Sequence, residues 1–189
     1  MALFDILKED NENSNERLNL MQNSHAVMFV SSQDDYLRKH LVDYELTAGN
    51  TAIHFTSNGR FALHDLIIFY ARQLNGANVI AESFNVSEEA ARKFLRAWDK
   101  GFFHSLKFIL NSQKKHNFIK AVKLMEGRFP MHFRKRHSKC AVIWNSEYHI
   151  TIISSGNLSS NQNEERGVIF FDKQTFDFDY KRMNDVFTA

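Results

Sequence analysis

Short apolar runs alternate with longer amphipathic stretches along most of the chain, from residue 51 onward. Apolar runs of this length, bounded by polar residues, are typical of buried strands. They are AIHF at 52–55, NVIAESF at 78–84 and LKFIL at 106–110, followed by the stretch MHFRKRHSKCAVIW at 131–144 and by HITIIS at 149–154. We expect each of these runs to contribute a strand.

The stretches between these runs carry apolar residues at helical spacing. The first, FALHDLIIFYARQL, ends at Asn75 and Gly76; the second, SEEAARKFLRAW, begins at Ser87, a typical N-cap residue; the third stops at Gly127. Alternation of strands and helices predicts an α/β fold with a largely parallel sheet covered by helices. In such sheets, functional sites gather outside the carboxyl ends of the strands.

The first part of the chain has a different character. Its segment DNENSNER is too polar to pack, HAVMFV is compatible with a short strand, and Ser32 is a plausible N-cap of a following helix. We therefore predict a polar, acidic appendage over 1–48, packed on or flanking the core, and one globular domain over 49–189. The length of 189 residues and the 43% hydrophobic content are sufficient for one sizeable core.

Charge is distributed unevenly along the chain. Residues 1–47 carry 9 acidic and 4 basic side chains, whereas residues 92–139 carry 14 Lys or Arg against only Asp99 and Glu126. A local excess of positive charge favours a polyanionic partner, with nucleic acid first and an anionic membrane surface second. The alternative is a set of solvated helix faces, which is the common explanation of charge-rich stretches.

Cysteine content and hydropathy bear on where in the cell the protein is expected. Cys140 is the single cysteine, so an internal disulfide is excluded, and no apolar run is long enough to cross a bilayer. The N-terminus carries Lys8, Glu9 and Asp10 after a short apolar start, which does not match a secretory signal. We expect a cytoplasmic protein without integral membrane association.

The candidate chemistry is concentrated in HSKCAVIWNSEYHITIISSGNLSSNQNEE, residues 137–165. CAVIW and HITII, joined by a short polar turn, predict an antiparallel hairpin. In that hairpin His137 and Lys139 lie at the start of the first strand, beside Ser155 and Asn157 at the end of the second, with Glu165 a few residues on. An imidazole can act as nucleophile or acid/base near neutral pH, and Lys and Asn donors suit the charge on transferring phosphoryl oxygens.

This stretch resembles the His-x-Lys signature of the phospholipase D superfamily. In the family, His-x-Lys, a strand pair, a Gly-Ser-x-Asn-like turn and a later Glu form half of a phosphodiesterase site. Three features depart from the signature: the family's Asp falls at Trp144 or Asn145, Ser154 replaces a Gly, and the hairpin is slightly longer. FTSNGRFALHDL, SFNVSEEAARKFL and SSGNLSSNQNEE are similar to single-motif members that are often carried by phages and mobile elements. The implied fold is a phospholipase D-like sandwich, a mostly parallel mixed sheet flanked by helices.

The resemblance also implies a mechanism. One histidine attacks phosphorus and becomes a phosphohistidine, a second protonates the leaving oxygen, and neither a metal nor another cofactor is required. Because the chain has one His-x-Lys pair, a homodimer would complete the site. Lys139 and Asn157 would bind the phosphoryl oxygens, and Ser155 and Glu165 would support the histidines. The leading interpretation is a phosphodiesterase, more specifically a nuclease; the alternatives are a nucleic-acid-binding or assembly protein without turnover and, third, a lipid phosphodiesterase.

Several other residues are candidates for the same site. The basic run of Arg134, Lys135 and Arg136 precedes His137 directly and is expected to contact phosphates, and Arg60 follows the first strand of the regular region. His64, by contrast, is expected to be a half-buried helix residue and His149 a structural strand residue. We expect Cys140 to be buried, and the phenylalanines at 102, 103, 108 and 118 to belong mostly to the core.

Overall fold

The computed structural model describes residues 26–30, 37, 52–57, 59, 61–113, 118–160 and 163–188. Within them the strands are β1 (Ala26–Val30), β2 (Ala52–Thr56), β3 (Ala77–Ser83), β4 (Phe103–Asn111), β5 (Met131–Arg134), β6 (Cys140–Trp144), β7 (His149–Ser154) and β8 (Arg166–Phe170). The helices are α1 (Leu63–Gln73), α2 (Glu88–Asp99), α3 (Ile119–Met125) and α4 (Lys173–Thr188).

The described strands form one sheet in the order β1-β2-β8-β7-β6-β3-β4-β5. β6 and β8 run opposite to the other six strands, because each of them pairs antiparallel with both of its neighbours. The mixed sheet flanked by helices that was expected from the sequence is therefore confirmed; six of the eight described strands share one direction, and four of the seven pairings are antiparallel. The hairpin is confirmed as well, with β6 and β7 paired in a register that places Cys140 opposite Ile153.

Helices cover both faces of the sheet. The larger core lies between the sheet and α1, α2 and α3, and it contains buried residues such as Leu66, Phe94 and Phe108. A smaller cluster lies on the opposite face, where Phe176, Met183 and other residues of α4 pack on β3, β4 and β6. Because helices cover both faces, β3 and β6 are buried along almost their whole length.

Local signals account for the helix ends. The Ser87 hydroxyl accepts a hydrogen bond from the N–H of Ala90 at 3.1 Å, so it caps α2 as expected. After α1, Asn75 and Gly76 both have positive φ (52° and 108°), a conformation that ends a helix and that glycine adopts without strain. Gly127 follows α3 in the same way, with φ 76°.

The N-terminal part is described only at β1 and Leu37. β1 pairs in parallel with β2, and Leu37 is helical and buried in the larger core. The remainder of the helix predicted after Ser32 lies outside the described residues. The division of the chain at residue 48 stays a prediction.

One placement from the sequence is wrong. His137 and Lys139 were expected at the start of a strand that the basic run enters directly, yet β5 ends at Arg134 and β6 begins at Cys140. β5 pairs with β4, whereas β6 pairs with β3. The segment 135–139 must therefore cross the ends of β4 and β3, and we call it the crossing segment. Its polar, basic residues have no apolar alternation that would place them in the sheet.

Candidate active site

One end of the sheet collects most of the candidate residues. β3, β4 and β7 finish there, and β6 and β8 begin there, as the strand directions require. We call it the site end. The crossing segment, the turn after β7 and the residues before β8 all lie at this end, so His137, Lys139, Ser155, Asn157 and Glu165 are brought to the same part of the molecule.

His137 and Lys139 are in direct contact. The Lys139 ammonium lies 3.0 Å from Nδ1 of His137 and donates to the His137 carbonyl oxygen at 2.8 Å. The His137 side chain is exposed, whereas Lys139 retains only 9% of its accessible surface. Burial lowers the pKa of Lys139 because it disfavours the charged form, and this effect outweighs the attraction of the Glu165 carboxylate, which raises the pKa.

An aromatic ring completes the surroundings of this pair. The ring of Phe84, which follows β3, lies 4.5 Å from the His137 ring between centroids and 5.7 Å from the Lys139 ammonium. These distances fit a ring contact on the imidazole and a cation–π contact with the ammonium. Phe84 therefore restricts where the imidazole can lie. This role could not be predicted from the sequence, because Phe84 closes an apolar run in the same way as a core residue.

Ser155 and Glu165 form a second pair. The Ser155 hydroxyl donates to the Glu165 carboxylate at 2.5 Å and accepts from the N–H of Arg166 at 2.9 Å. The Glu165 main chain is fixed in turn by Ser57 at the end of β2: its N–H donates to the Ser57 hydroxyl at 3.1 Å, and its carbonyl accepts from the Ser57 N–H at 2.8 Å. Glu165 is thus held at its carboxylate by Ser155 and at its main chain by Ser57.

Asn157 is tied to β3 through a residue that the sequence did not reveal. Ser83, which is buried at the end of β3, places its hydroxyl 3.4 Å from Oδ1 of Asn157 and accepts from the N–H of Leu158 at 3.0 Å. The same hydroxyl donates to the carbonyl of Asn85 at 2.7 Å. A serine directly after a buried strand, at the expected site end, was the available signal.

The turn between Ser155 and Asn157 depends on Gly156. A Cβ atom at that position would lie 3.2 Å from Cγ of Glu165 and 3.3 Å from the Ser154 hydroxyl. That hydroxyl accepts the Gly156 N–H at 3.0 Å. The serine that departs from the family's glycine is therefore accommodated within the turn.

Trp144, one of the two positions where the family's Asp would fall, lies away from these residues. Trp144 is the last residue of β6 and packs on Phe176 and Tyr180 of α4, with ring centroids 5.7 and 5.0 Å away. Five residues of extended chain separate it from Lys139, which corresponds to about 16 Å. Trp144 therefore belongs to the smaller core cluster and makes no contact with the His137–Lys139 pair.

The other residues that the sequence singled out differ in exposure and in the partners that they contact. Arg134 and Lys135 are exposed, whereas Arg136 binds the buried carboxylate of Glu82 at 3.1 Å. Arg60 lies outside the described residues. His149 packs its ring on Phe176 at 4.8 Å.

Two buried groups can be distinguished from the site. His64 is fully buried rather than half-buried, because α1 presents it to α2, where its Nε2 lies 3.3 Å from the Lys93 ammonium. Burial lowers the pKa of His64. The Cys140 thiol is also buried, and burial raises its pKa. Neither group has the accessibility of a nucleophile.

In the part of the chain that the structure describes, no three His, Cys, Asp or Glu side chains come together as a metal site. No helix in the same part combines the length and the apolar character that a membrane crossing demands.

Comparison with solved structures identifies the architecture. A phospholipase D family member, Nuc from Salmonella typhimurium, superimposes with a TM-score of 0.55 at 13% identity, over 74% of this chain and 95% of that one. The chain has the phospholipase D fold. NucT from Helicobacter pylori gives a TM-score of 0.51 at 14% identity, over 71% and 97% of the two chains.

Part of a larger protein also superimposes on this chain. Polyphosphate kinase from Porphyromonas gingivalis matches with a TM-score of 0.50 at 10% identity, over 74% of this chain but 26% of that one. No protein-family model and no curated protein sequence matches the chain. At these identities the structures confirm the fold that the sequence resemblance implied, and function has to be argued from the site.

Proposed function

We propose that the chain is a phosphodiesterase, specifically a metal-independent nuclease, that works through a phosphohistidine at a site shared by two subunits. The observation that carries this proposal is the contact between His137 and Lys139 at the end of the sheet where Asn157 and the Ser155–Glu165 pair also lie. An imidazole beside a cation, an amide and an oriented carboxylate matches the needs of phosphoryl transfer.

The chemistry assigns a separate task to each group. A ring nitrogen of His137 attacks phosphorus, the bond from phosphorus to the leaving oxygen breaks, and the His137 of a second subunit protonates that oxygen. Water then attacks the phosphohistidine, the second imidazole takes the proton of that water, and the phosphorus–nitrogen bond breaks to restore His137. Lys139 and the Asn157 amide donate hydrogen bonds to the phosphoryl oxygens throughout.

The contact between Lys139 and His137 sets a condition on this cycle. The Lys139 ammonium lies near both ring nitrogens of His137, 3.0 Å from Nδ1 and 3.5 Å from Nε2. An ammonium can only donate hydrogen bonds, so it competes with phosphorus for a nitrogen lone pair of the neutral ring. We infer that a bound phosphoryl group draws the Lys139 ammonium away from the imidazole and so leaves a ring nitrogen available for attack.

The positive charge of the chain favours nucleic acid as the substrate. Arg134 at the end of β5 and Lys135 at the start of the crossing segment are exposed, within the stretch that holds 14 basic side chains between residues 92 and 139. Exposed cations beside a phosphodiester site bind a polyanion through its phosphates, independently of sequence. Lipid phosphodiester hydrolysis is the weaker option, because the exposed Arg134 and Lys135 are cations, which bind phosphates, and not apolar side chains that would dock on a bilayer.

One observation favours a second candidate, nucleic-acid binding without turnover. The chain supplies one His-x-Lys pair, at His137 and Lys139, so a single subunit offers one imidazole for two tasks. If the subunits do not meet at the site end, the same basic surface still binds phosphates but lacks the acid that releases the leaving group.

The test is cleavage of single- and double-stranded DNA and RNA in the presence of EDTA. We expect the purified chain to cleave at least one of these substrates and His137→Ala to lose that activity. His104→Ala is the matched control, since His104 is exposed at the start of β4, at the opposite end of the sheet. Equal background cleavage by all three proteins would reject the enzyme. Headgroup release from phospholipid vesicles, with no cleavage of nucleic acid, would instead support the lipid alternative.

A further inference from the structure

A buried carboxylate lies directly under the crossing segment. Glu82, near the end of β3, is 1% exposed and binds two arginines, Arg136 at 3.1 Å and Arg182 at 2.7 Å. Arg182 belongs to α4 and also binds the buried carboxylate of Asp179 at 3.1 Å. Two carboxylates and two guanidinium groups thus form a neutral cluster, which we call the Glu82 cluster.

Arg136 links this cluster to the site. It immediately precedes His137, and its carbonyl oxygen accepts a hydrogen bond from the side-chain amide of Asn111, which is buried at the end of β4. Residues 135–139 belong to no strand; the Arg136 N–H donates to the Arg134 carbonyl at 3.0 Å, and the Lys139 carbonyl accepts from the Ser154 N–H at 3.0 Å. Arg136 is anchored to the central strands by Glu82 through its side chain and by Asn111 through its carbonyl.

We propose that Arg136 is a positioning residue: Glu82, held by Arg182 of α4, fixes Arg136 and thereby the place of His137. Contact with substrate phosphates then falls to the neighbouring Arg134 and Lys135, which are exposed. This inference rests on the proposed function, in which His137 is the attacking group. It gives α4 a role in the site although that helix supplies no group to the chemistry.

The alternative is that Arg136 binds a phosphate, as its position in a basic run suggests. The two roles differ in what they do to binding. Loss of a phosphate contact weakens binding and lowers the salt dependence of affinity by about one counterion. Loss of a positioning residue leaves binding and its salt dependence in place and slows the chemical step, because a displacement of about 1 Å can cost about 100-fold in rate.

The experiment compares Arg136→Gln with Arg128→Gln. Arg128 is an exposed arginine that pairs with Asp99, and it precedes β5 at the end of the sheet opposite the site, away from the phosphate-binding residues proposed here. We expect Arg136→Gln to lower kcat at least 10-fold with KM changed less than twofold and an unchanged salt slope, while Arg128→Gln behaves as wild type. Arg136→Lys keeps a cation for Glu82 and should recover part of kcat. A raised KM with a shallower salt slope and unchanged kcat would overturn the proposal.

A second readout is independent of turnover. In proton NMR spectra of the folded full chain, we expect Arg136→Gln to shift or broaden the His137 ring resonances, assigned through His137→Ala, while Arg128→Gln leaves them in place. Unchanged His137 resonances in both variants would overturn the positioning role, whether or not the wild-type chain cleaves nucleic acid. Absent cleavage with a displaced His137 signal would instead reject the proposed function alone.

Discussion

Replacing Ser83 with alanine removes one hydroxyl that ties the turn carrying Asn157 to the end of β3. That hydroxyl donates to the Asn85 carbonyl at 2.7 Å and accepts from the Leu158 N–H at 3.0 Å. The Leu158 N–H retains a second acceptor, the Asn85 carbonyl at 3.2 Å, whereas the Asn85 N–H loses its long hydrogen bond of 3.3 Å to the same hydroxyl. The two shorter hydrogen bonds account for about 2 kcal/mol at about 1 kcal/mol each, and the long one adds to this cost.

For a chain of this size, 1 kcal/mol corresponds to a Tm change of about 2–4 °C, so we expect Ser83→Ala to melt about 4–8 °C lower. Loosening the Asn157 amide should also lower kcat by about 10-fold or more, since removal of a donor to a developing oxyanion costs about 100-fold or more. Calorimetry and single-turnover cleavage measure the two effects.

Ser105→Ala is the matched control for this prediction. The Ser105 hydroxyl donates to Oδ1 of Asn78 at 2.9 Å, near the opposite ends of β4 and β3. Loss of this one bond should lower Tm by about 2–4 °C and leave kcat unchanged. If both serine variants melt at the same temperature and both keep full activity, the role assigned to Ser83 is wrong.

Three further predictions concern titration and packing. The Glu165 carboxylate stabilises the Lys139 ammonium, so Glu165→Gln should lower the pKa of Lys139 further. The alkaline limb of the pH profile of kcat should then move to lower pH, and an upward shift would contradict this prediction. Burial holds the pKa of His64 below its usual 6.5, so the unfolded chain binds the proton more readily and stability should fall as pH drops below about 6.5. In thermal melts from pH 7 to 5, His64→Leu should lose the part of the fall in Tm that His64 causes. An unchanged dependence of Tm on pH would count against this prediction. A Cβ atom at Gly167 would overlap the Ile153 carbonyl and the Phe55 ring. Gly167→Ala should therefore lower the free energy of unfolding, measured by urea titration, by about 2 kcal/mol or more. A loss under about 0.5 kcal/mol would refute the clash.

The sequence was most informative where a local pattern repeats. Apolar periodicity and the Ser87 cap located α1 and α2, and the short polar turn located the β6–β7 hairpin, because each of these signals lies within a few residues of the element it defines. Neither β8 nor α4 was predicted from the sequence. In α4 the buried positions are Phe176, Asp179, Met183 and Val186, so a charged residue interrupts the apolar stripe and obscures its helical spacing.

The site was predictable in part for the same reason. His137, Lys139, Ser155, Asn157 and Glu165 lie close together along the chain, and a hairpin is enough to bring them together. Their supports come from distant positions: Glu82 lies 54 residues before Arg136 and 100 before Arg182, and Ser83 lies 74 before Asn157. A single sequence carries no local pattern for such contacts, which exist only once β3 pairs with β6 and α4 packs beneath them.

The most direct test of a site shared by two subunits is the activity of mixed dimers. Wild-type chain and His137→Ala are co-folded in known proportions, the dimers are isolated, and metal-free cleavage of nucleic acid is measured against the wild-type fraction. If one site needs both imidazoles, only wild-type pairs are active, and an equal mixture retains about one quarter of the activity. Activity proportional to the wild-type fraction, or an active chain that remains monomeric, would contradict the account.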